Sequence, residues 1–252
     1  MKTSSWDRII GKFPSDFEMK RGLTSFVNPY SMLLLKKQDE IADRVNFWYA
    51  DGIVLVKLIN GTQKKKIAGR SETAPFPIKR YSFDDTSVAP VVFRFAKENH
   101  LKAAIIGTKE EYIDTAVSNI EEKYGMTVTY RRNGYFHSEA ERAECYRQIM
   151  THEIDIVVCG MGTPHQENFL IGLEDCGWKG YGFTCGGFLH QTMKRAVGRS
   201  TGSSDYYPPF FNKWNLRWLY RMIDEPKLVS RYFFLYPLFL LHFFIHRMRK
   251  RG

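Results

Sequence analysis

Apolar residues along the chain fall into short runs separated by amphipathic stretches. TSFVN (Thr24–Asn28) reads as a strand and YSMLLLKKQDEIADRV (Tyr30–Val45) as a helix. After the aromatic run FWYA and the pair Asp51-Gly52, the stretch IVLVKL reads as another apolar strand. AAIIG (Ala103–Gly107) is a strand ending in glycine, and Thr108-x-x-Glu111 has the form of a capping box. The helix it opens carries Ile113, Ala116, Val117, Ile120 and Tyr124 on one face. MTVTY (Met126–Tyr130) follows as a strand and Glu139–Met150 as a helix. DIVVCG (Asp155–Gly160) is a further strand, and a helix starts after Pro164, where a missing N–H costs nothing. GYGFTCGG (Gly180–Gly187) is a strand closing on paired glycines. Strands alternating with helices at this pitch predict right-handed βαβ units. The expected fold is α/β, a Rossmann-like, mostly parallel sheet with flanking helices.

Two regions depart from that pattern. RAVGRSTGSSDYYPP (Arg195–Pro209) is rich in Gly, Ser and Pro and reads as a loop. Beyond it, aromatic and aliphatic residues alternate with bases. The expected division is a core over 1–195 and a C-terminal appendage over 196–252. The apolar stretch Tyr232–Ile245, interrupted by Pro237 and His242, falls short of the about 20 residues a spanning helix needs. Beside the polybasic HRMRKRG it reads as a helical anchor on an anionic membrane surface. The plainer alternative is a terminal helix packed on the core or on another subunit, so an exposed apolar tail also offers a homo-oligomer contact.

Charge supports the membrane reading. The chain of 252 residues has 37 Lys+Arg against 27 Asp+Glu, a net +10. Much of the surplus lies late, in Arg221, Lys227, Arg231, Arg247, Arg249, Lys250 and Arg251 against Asp224 and Glu225. A nucleic-acid partner is disfavoured, since the aromatics there are flanked by aliphatics and form no base-stacking platform. The N-terminus lacks the apolar segment of a signal peptide, which predicts the cytoplasmic side. The four cysteines have no C-x-x-C spacing and read as small buried hydrophobes. His165 and His190 belong to no H-x-x-x-H pair, and Asp84-Asp85 is not a D-x-D diphosphate–metal motif, so neither a metal nor a cofactor is expected.

In doubly wound sheets, ligands sit beyond the carboxyl ends of the strands. Those ends carry Asn28, Asp51, Gly52, Gly107, Tyr135, Phe136, Gly160, Gly162, Thr163, Pro164, Gln166, Glu167, Gly186 and Gly187. Glycines let backbone N–H groups approach an anion, and helix N-termini favour negative charge, so a diphosphate-bearing donor is a suitable ligand class. Gly160-x-Gly162-x-Pro164 is neither G-x-G-x-x-G nor a Walker A loop, and a generic strand-to-helix turn accounts for it equally well. Asp51, between an aromatic run and an apolar stretch, suits a general base, although a turn Asp before glycine has the same spacing. Arg80, Asp84 and Asp85 in IKRYSFDDT are further polar candidates or a solvated loop.

ADG (50–52), NGYF (133–136), VVCGMGTPHQE (157–167), CGGF (185–188) and LRWLYRMIDEPKLVSRY (216–232) resemble, in order and spacing, the WecG/TagA/CpsF glycosyltransferases. The resemblance runs from about Ser25 to Tyr232. It implies an inverting, metal-independent enzyme at the inner face of a bacterial membrane. Such an enzyme moves a sugar from a UDP-sugar to a polyprenyl-diphosphate-linked saccharide in cell-surface polymer synthesis. By position, Asp51 would be the base, and Gly160, Gly162 and Thr163 would line the diphosphate. Gln166 and Glu167 would face the sugar, and Arg221 and Arg231 would serve the acceptor's diphosphate. Three departures stand out. Phe26 occupies a position where some members have a threonine of suggested catalytic role, leaving Thr24 or Ser25 to fill it. Leu216-Arg217-Trp218 replaces a Leu-Glu-Trp, and the Ser/Tyr/Pro loop replaces an R-A-P element. Phe26 keeps open a non-enzymatic, membrane-associated scaffold subunit. The missing third glycine weighs against a nicotinamide-dependent oxidoreductase.

Overall fold

The computed structural model describes residues 4–67, 77–194, 229 and 231–249. Its strands are β1 (Gly22–Val27), β2 (Phe47–Ala50), β3 (Ala103–Gly107), β4 (Val128–Arg132), β5 (Ile156–Gly160) and β6 (Tyr181–Thr184). They form one six-stranded sheet in the order β2-β1-β6-β5-β3-β4. Every neighbouring pair is parallel. The apolar runs AAIIG and IVVC are buried along their whole length, as expected of parallel strands covered on both faces. β4, at one edge, is only partly covered, and its sequence VTYRR is correspondingly mixed.

Helices α1 (Ser5–Gly11), α2 (Pro29–Leu34), α3 (Asp39–Arg44), α4 (Ile53–Ile67), α7 (Glu139–Thr151) and α8 (His165–Asp175) build one apolar layer. Helices α5 (Val88–Glu98), α6 (Glu110–Tyr124) and α9 (Phe188–Lys194) build the other. The α6 stripe Ile113, Ala116, Val117 and Ile120 is buried as its spacing predicts, and Gly125 ends that helix in the left-handed conformation.

Four local expectations are corrected. IVLVKL is the start of α4, not a strand. Leu55, Val56 and Ile59 are buried while Ile53 and Val54 are exposed, a one-sided burial that a short apolar run cannot reveal by itself. The helix over Tyr30–Val45 is two helices, joined by a 3₁₀ turn at Leu35–Lys37. The strand read over Met126–Tyr130 is paired two residues later, over Val128–Arg132. The capping box is not formed. Thr108 takes a positive φ of 55° and its N–H bonds to the Gly160 carbonyl, so the helix starts only at Glu110.

The apolar tail forms α10 (Tyr236–Arg249), entered through a π-helical turn at Arg231–Leu235. Phe239 and Phe243, one helical turn apart, are fully buried, with ring centroids 5.4 and 6.3 Å from Trp6. His246 Nε2 lies 3.2 Å from Asp7 Oδ2, and Arg247 Nη2 donates to Thr62 Oγ1 at 3.0 Å. One face of α10 is therefore part of the core. The other exposes Leu238, Leu241, Phe244 and Met248, continuing Phe233 and Phe234. Among the described residues no helix is long and apolar enough to cross a membrane. The loop Arg195–Pro209, Arg221 and Lys227 lie outside the described residues.

Candidate active site

β3 and β5 are neighbours, yet the helices that follow them cover opposite faces of the sheet. This divergence opens a crevice at their carboxyl ends, where doubly wound folds bind ligands. The loops meet there at very short range. A Cβ on Gly107 would stand 2.5 Å from the Gly160 carbonyl oxygen, and one on Gly134 would stand 2.8 Å from Met161 Cγ. These glycines pack the three turns together. Gly162 differs, since its φ is +80° and nothing lies within 4 Å of where a Cβ would be. It shapes an open turn that also contains the cis Thr163–Pro164 peptide and leads into α8. Gly186 and Gly187, after β6, are likewise exposed at this edge.

Asp51 occupies the turn from β2 into α4, its N–H bonded to the Val27 carbonyl at 2.7 Å. Its carboxylate is 30% exposed, and Arg80 Nη2 stands 3.4 Å from Oδ1. The same Arg80 nitrogen donates to Ser82 Oγ at 2.7 Å and Asp84 Oδ2 at 3.2 Å. Burial raises the Asp84 proton affinity. Hydrogen bonds from Ser82 and Thr86, together with Arg80, outweigh it and hold the group below its ordinary range. Arg80 thus places one cation between the carboxylates of Asp51 and Asp84.

Other candidates turn out to be engaged in the fold. Asn28 caps α2, its Oδ1 accepting from the N–H groups of Tyr30 and Ser31 at 3.0 and 3.1 Å. Asp85 meets Lys123 Nζ at 3.1 Å and the Tyr124 hydroxyl, at the far end of α6. Phe136 is sandwiched between the Arg132 guanidinium, 4.0 Å away, and the Phe169 ring. Tyr135 is exposed.

The densest polar cluster lies beneath the Gly160–Pro164 turn. Glu167 is 0% exposed, and its Oε1 accepts from Ser25 Oγ at 2.8 Å, Thr163 Oγ1 at 3.1 Å and Gln166 Nε2 at 3.2 Å. Gln166, 3% exposed, also accepts from the Gly186 N–H at 3.2 Å. Thr184 Oγ1 donates to Ser25 Oγ at 3.0 Å. Burial raises the Glu167 proton affinity above the ordinary carboxyl range, against the pull of its hydrogen bonds. Glu167 and Gln166 thus turn their polar atoms inward, where the resemblance implied contact with the sugar. Ser25 points to the same side as Glu167, while Phe26 faces the opposite layer against Tyr49 and Phe83. Thr184 was not singled out from the sequence, although a polar residue inside the apolar run YGFTC is a legible signal. Cys159 and Cys185 are buried nearby and their thiols are pushed up by desolvation, in keeping with small hydrophobes. A recess of about 390 Å³ between α6 and β4, and one of about 1010 Å³ lined by Lys97, His100 and Lys123, are formed by other residues than these.

Residues 5–252 match the glycosyl transferase WecG/TagA/CpsF family. The chain belongs to that family. It is a glycosyltransferase. A relative from Shigella boydii is 35% identical over 250 residues, 97% of each chain. That relative is a UDP-Gal:alpha-D-GlcNAc-diphosphoundecaprenol beta-1,4-galactosyltransferase. In this glycosyltransferase the carboxyl edge of the sheet carries Asp51 with Arg80 at the end of β2, and the glycine pair and the open turn at Gly162 at the ends of β6 and β5, with β1 lying between.

Proposed function

We propose that this glycosyltransferase moves a sugar from a UDP-sugar to a polyprenyl-diphosphate-linked saccharide, with inversion and with Asp51 as general base. The near-complete alignment with a relative whose name specifies a UDP-Gal donor and a diphosphoundecaprenol-linked acceptor carries this reading. In the reaction the acceptor hydroxyl oxygen bonds to the anomeric carbon as the bond from that carbon to the UDP oxygen breaks. UDP leaves with the electron pair, and the hydroxyl proton passes to the Asp51 carboxylate. Backbone N–H groups of the Gly160–Pro164 turn and the start of α8 take up the charge that develops on the diphosphate. Arg80 keeps the base aimed. The late bases Arg221, Lys227 and Arg231 serve the acceptor's diphosphate.

The enzyme works as a peripheral protein at the cytoplasmic face of the membrane. The support is the one-sided burial of α10, which leaves an apolar stripe outside, and the bases that follow it. A screen of UDP-sugars against GlcNAc-diphosphoundecaprenol and related acceptors tests the reading, with UDP-Gal expected to release UDP. Asp51→Asn is expected to lower kcat by about 10²–10⁴-fold while UDP affinity stays near that of the wild type. Full activity in that variant removes Asp51 as the base.

A further inference from the structure

Four observations meet at Glu167. It is completely buried, while the open face of its turn, at Gly162, is exposed. One oxygen gathers three donors from two parts of the chain, Ser25 on β1 and Thr163 with Gln166 at the β5–α8 turn. The second oxygen, Oε2, is buried and meets no donor among the described residues. Finally, Gln166 extends the chain of bonds to the Gly186 N–H, and Thr184 ties β6 back to Ser25. The cluster is a closed ring linking the ends of β1, β5 and β6. Glu167 has no exposed surface, and its bonded oxygen serves the cluster beneath the turn.

We propose that Glu167 is a positioning residue, the centre of a buried clasp that holds the Gly160–Pro164 turn against the Cys185–Gly187 turn. The two turns bear the exposed glycines at which a donor diphosphate meets backbone N–H groups. Beyond the Cys159–Thr184 pair the backbone adds the bond from the Cys185 N–H to the Cys159 carbonyl at 2.8 Å, and the link further out, to the Gly186 N–H, comes from Gln166 with Glu167 and Ser25 behind it. The clasp works through hydrogen bonds accepted by Oε1, which a glutamine carbonyl at the same place also accepts. A carboxylate working as general base has no such substitute. This inference rests on the donor reading above for its kinetic consequence, but the clasp is testable without turnover.

Three variants separate the roles. Glu167→Gln is expected to keep kcat and the KM for the UDP-sugar within about 3-fold of wild type. Ser25→Ala, which removes one donor with little loss of packing, is expected to raise the UDP-sugar KM and the UDP Kd about 5- to 10-fold. Its KM for the lipid acceptor stays close to wild type, and a fall in kcat with UDP Kd unchanged assigns Ser25 a direct catalytic role and overturns the clasp. Glu167→Ala is expected to lose more, and to speed hydrogen exchange at the amides of Gly162, Thr163 and Gly186 while leaving those of β4 unchanged. A loss in Glu167→Gln as deep as that in Asp51→Asn, with UDP affinity intact, overturns the proposal in favour of a directly acting carboxylate. Unchanged UDP affinity and unchanged exchange in both Ser25→Ala and Glu167→Ala also overturn it. If the wild type neither binds UDP nor releases it, the donor reading fails. The exchange comparison then still decides the clasp.

Discussion

At the scale of the residue, two carboxylates of one site are placed in opposite settings. Asp51 is part-exposed beside a cation, whereas Glu167 is sealed in, and burial raises its proton affinity. The second setting predicts a pH dependence of stability. Below the ordinary carboxyl value of 4.5 the group is protonated in both the folded and the unfolded chain and contributes nothing. Above it the unfolded chain releases the proton first, so stability falls as pH rises towards the folded-state value. Glu167→Gln removes that loss. The variant is expected to equal wild type in Tm near pH 4 and to exceed it increasingly as the pH is raised, which thermal melts across the range will show. A parallel decline in both proteins contradicts the buried-acid assignment. Asp84 has the opposite sign: held below its ordinary 3.8, it stabilises above that value and the contribution is lost as acid protonates it. Asp51 was legible in the sequence because it follows a strand and precedes glycine. The inward orientation of Gln166 and Glu167 was not, because it depends on Ser25, 142 positions away along the chain.

At the scale of the element, periodicity identified what a single helix or strand needs and failed where burial is decided by neighbours. The α6 stripe was readable because its apolar residues return every third or fourth position over several turns. IVLVKL was misread because six apolar-rich residues suit either a strand or a helix, and only the one-sided cover of Leu55, Val56 and Ile59 distinguishes them. The tail shows the same ambiguity in another form. Its residues are apolar all round, and packing divides them into an inner pair, Phe239 and Phe243, and an outer row. Phe239→Ala is expected to cost about 3–5 kcal/mol, since it empties a fully buried site against Trp6. Chemical denaturation checks this, and a change near zero means that α10 is not docked on α1.

At the scale of the whole molecule, the docked α10 joins an apolar exterior row to the same body that carries Asp51. Replacing Leu241 and Phe244 by serine is expected to leave the melting temperature nearly unchanged, since both are exposed at 57% and 51%. The same change is expected to reduce sedimentation with anionic liposomes. Residual binding is expected to weaken with salt, as polybasic attraction is screened. Undiminished sedimentation moves the membrane contact elsewhere.

What the sequence by itself determined is the α/β class, the alternation that makes a parallel sheet and the family. All of these follow from local periodicity or from short motifs whose residues are adjacent in the chain. What only the tertiary structure decided is which of those motif residues look outward. Gly162 opens to the crevice while Gly107 fills a gap between turns, and Asp51 meets Arg80 while Asp85 is drawn to Lys123. Orientation of that kind is set by contacts between segments far apart in sequence, where a buried polar atom must find whichever partner the fold brings to it.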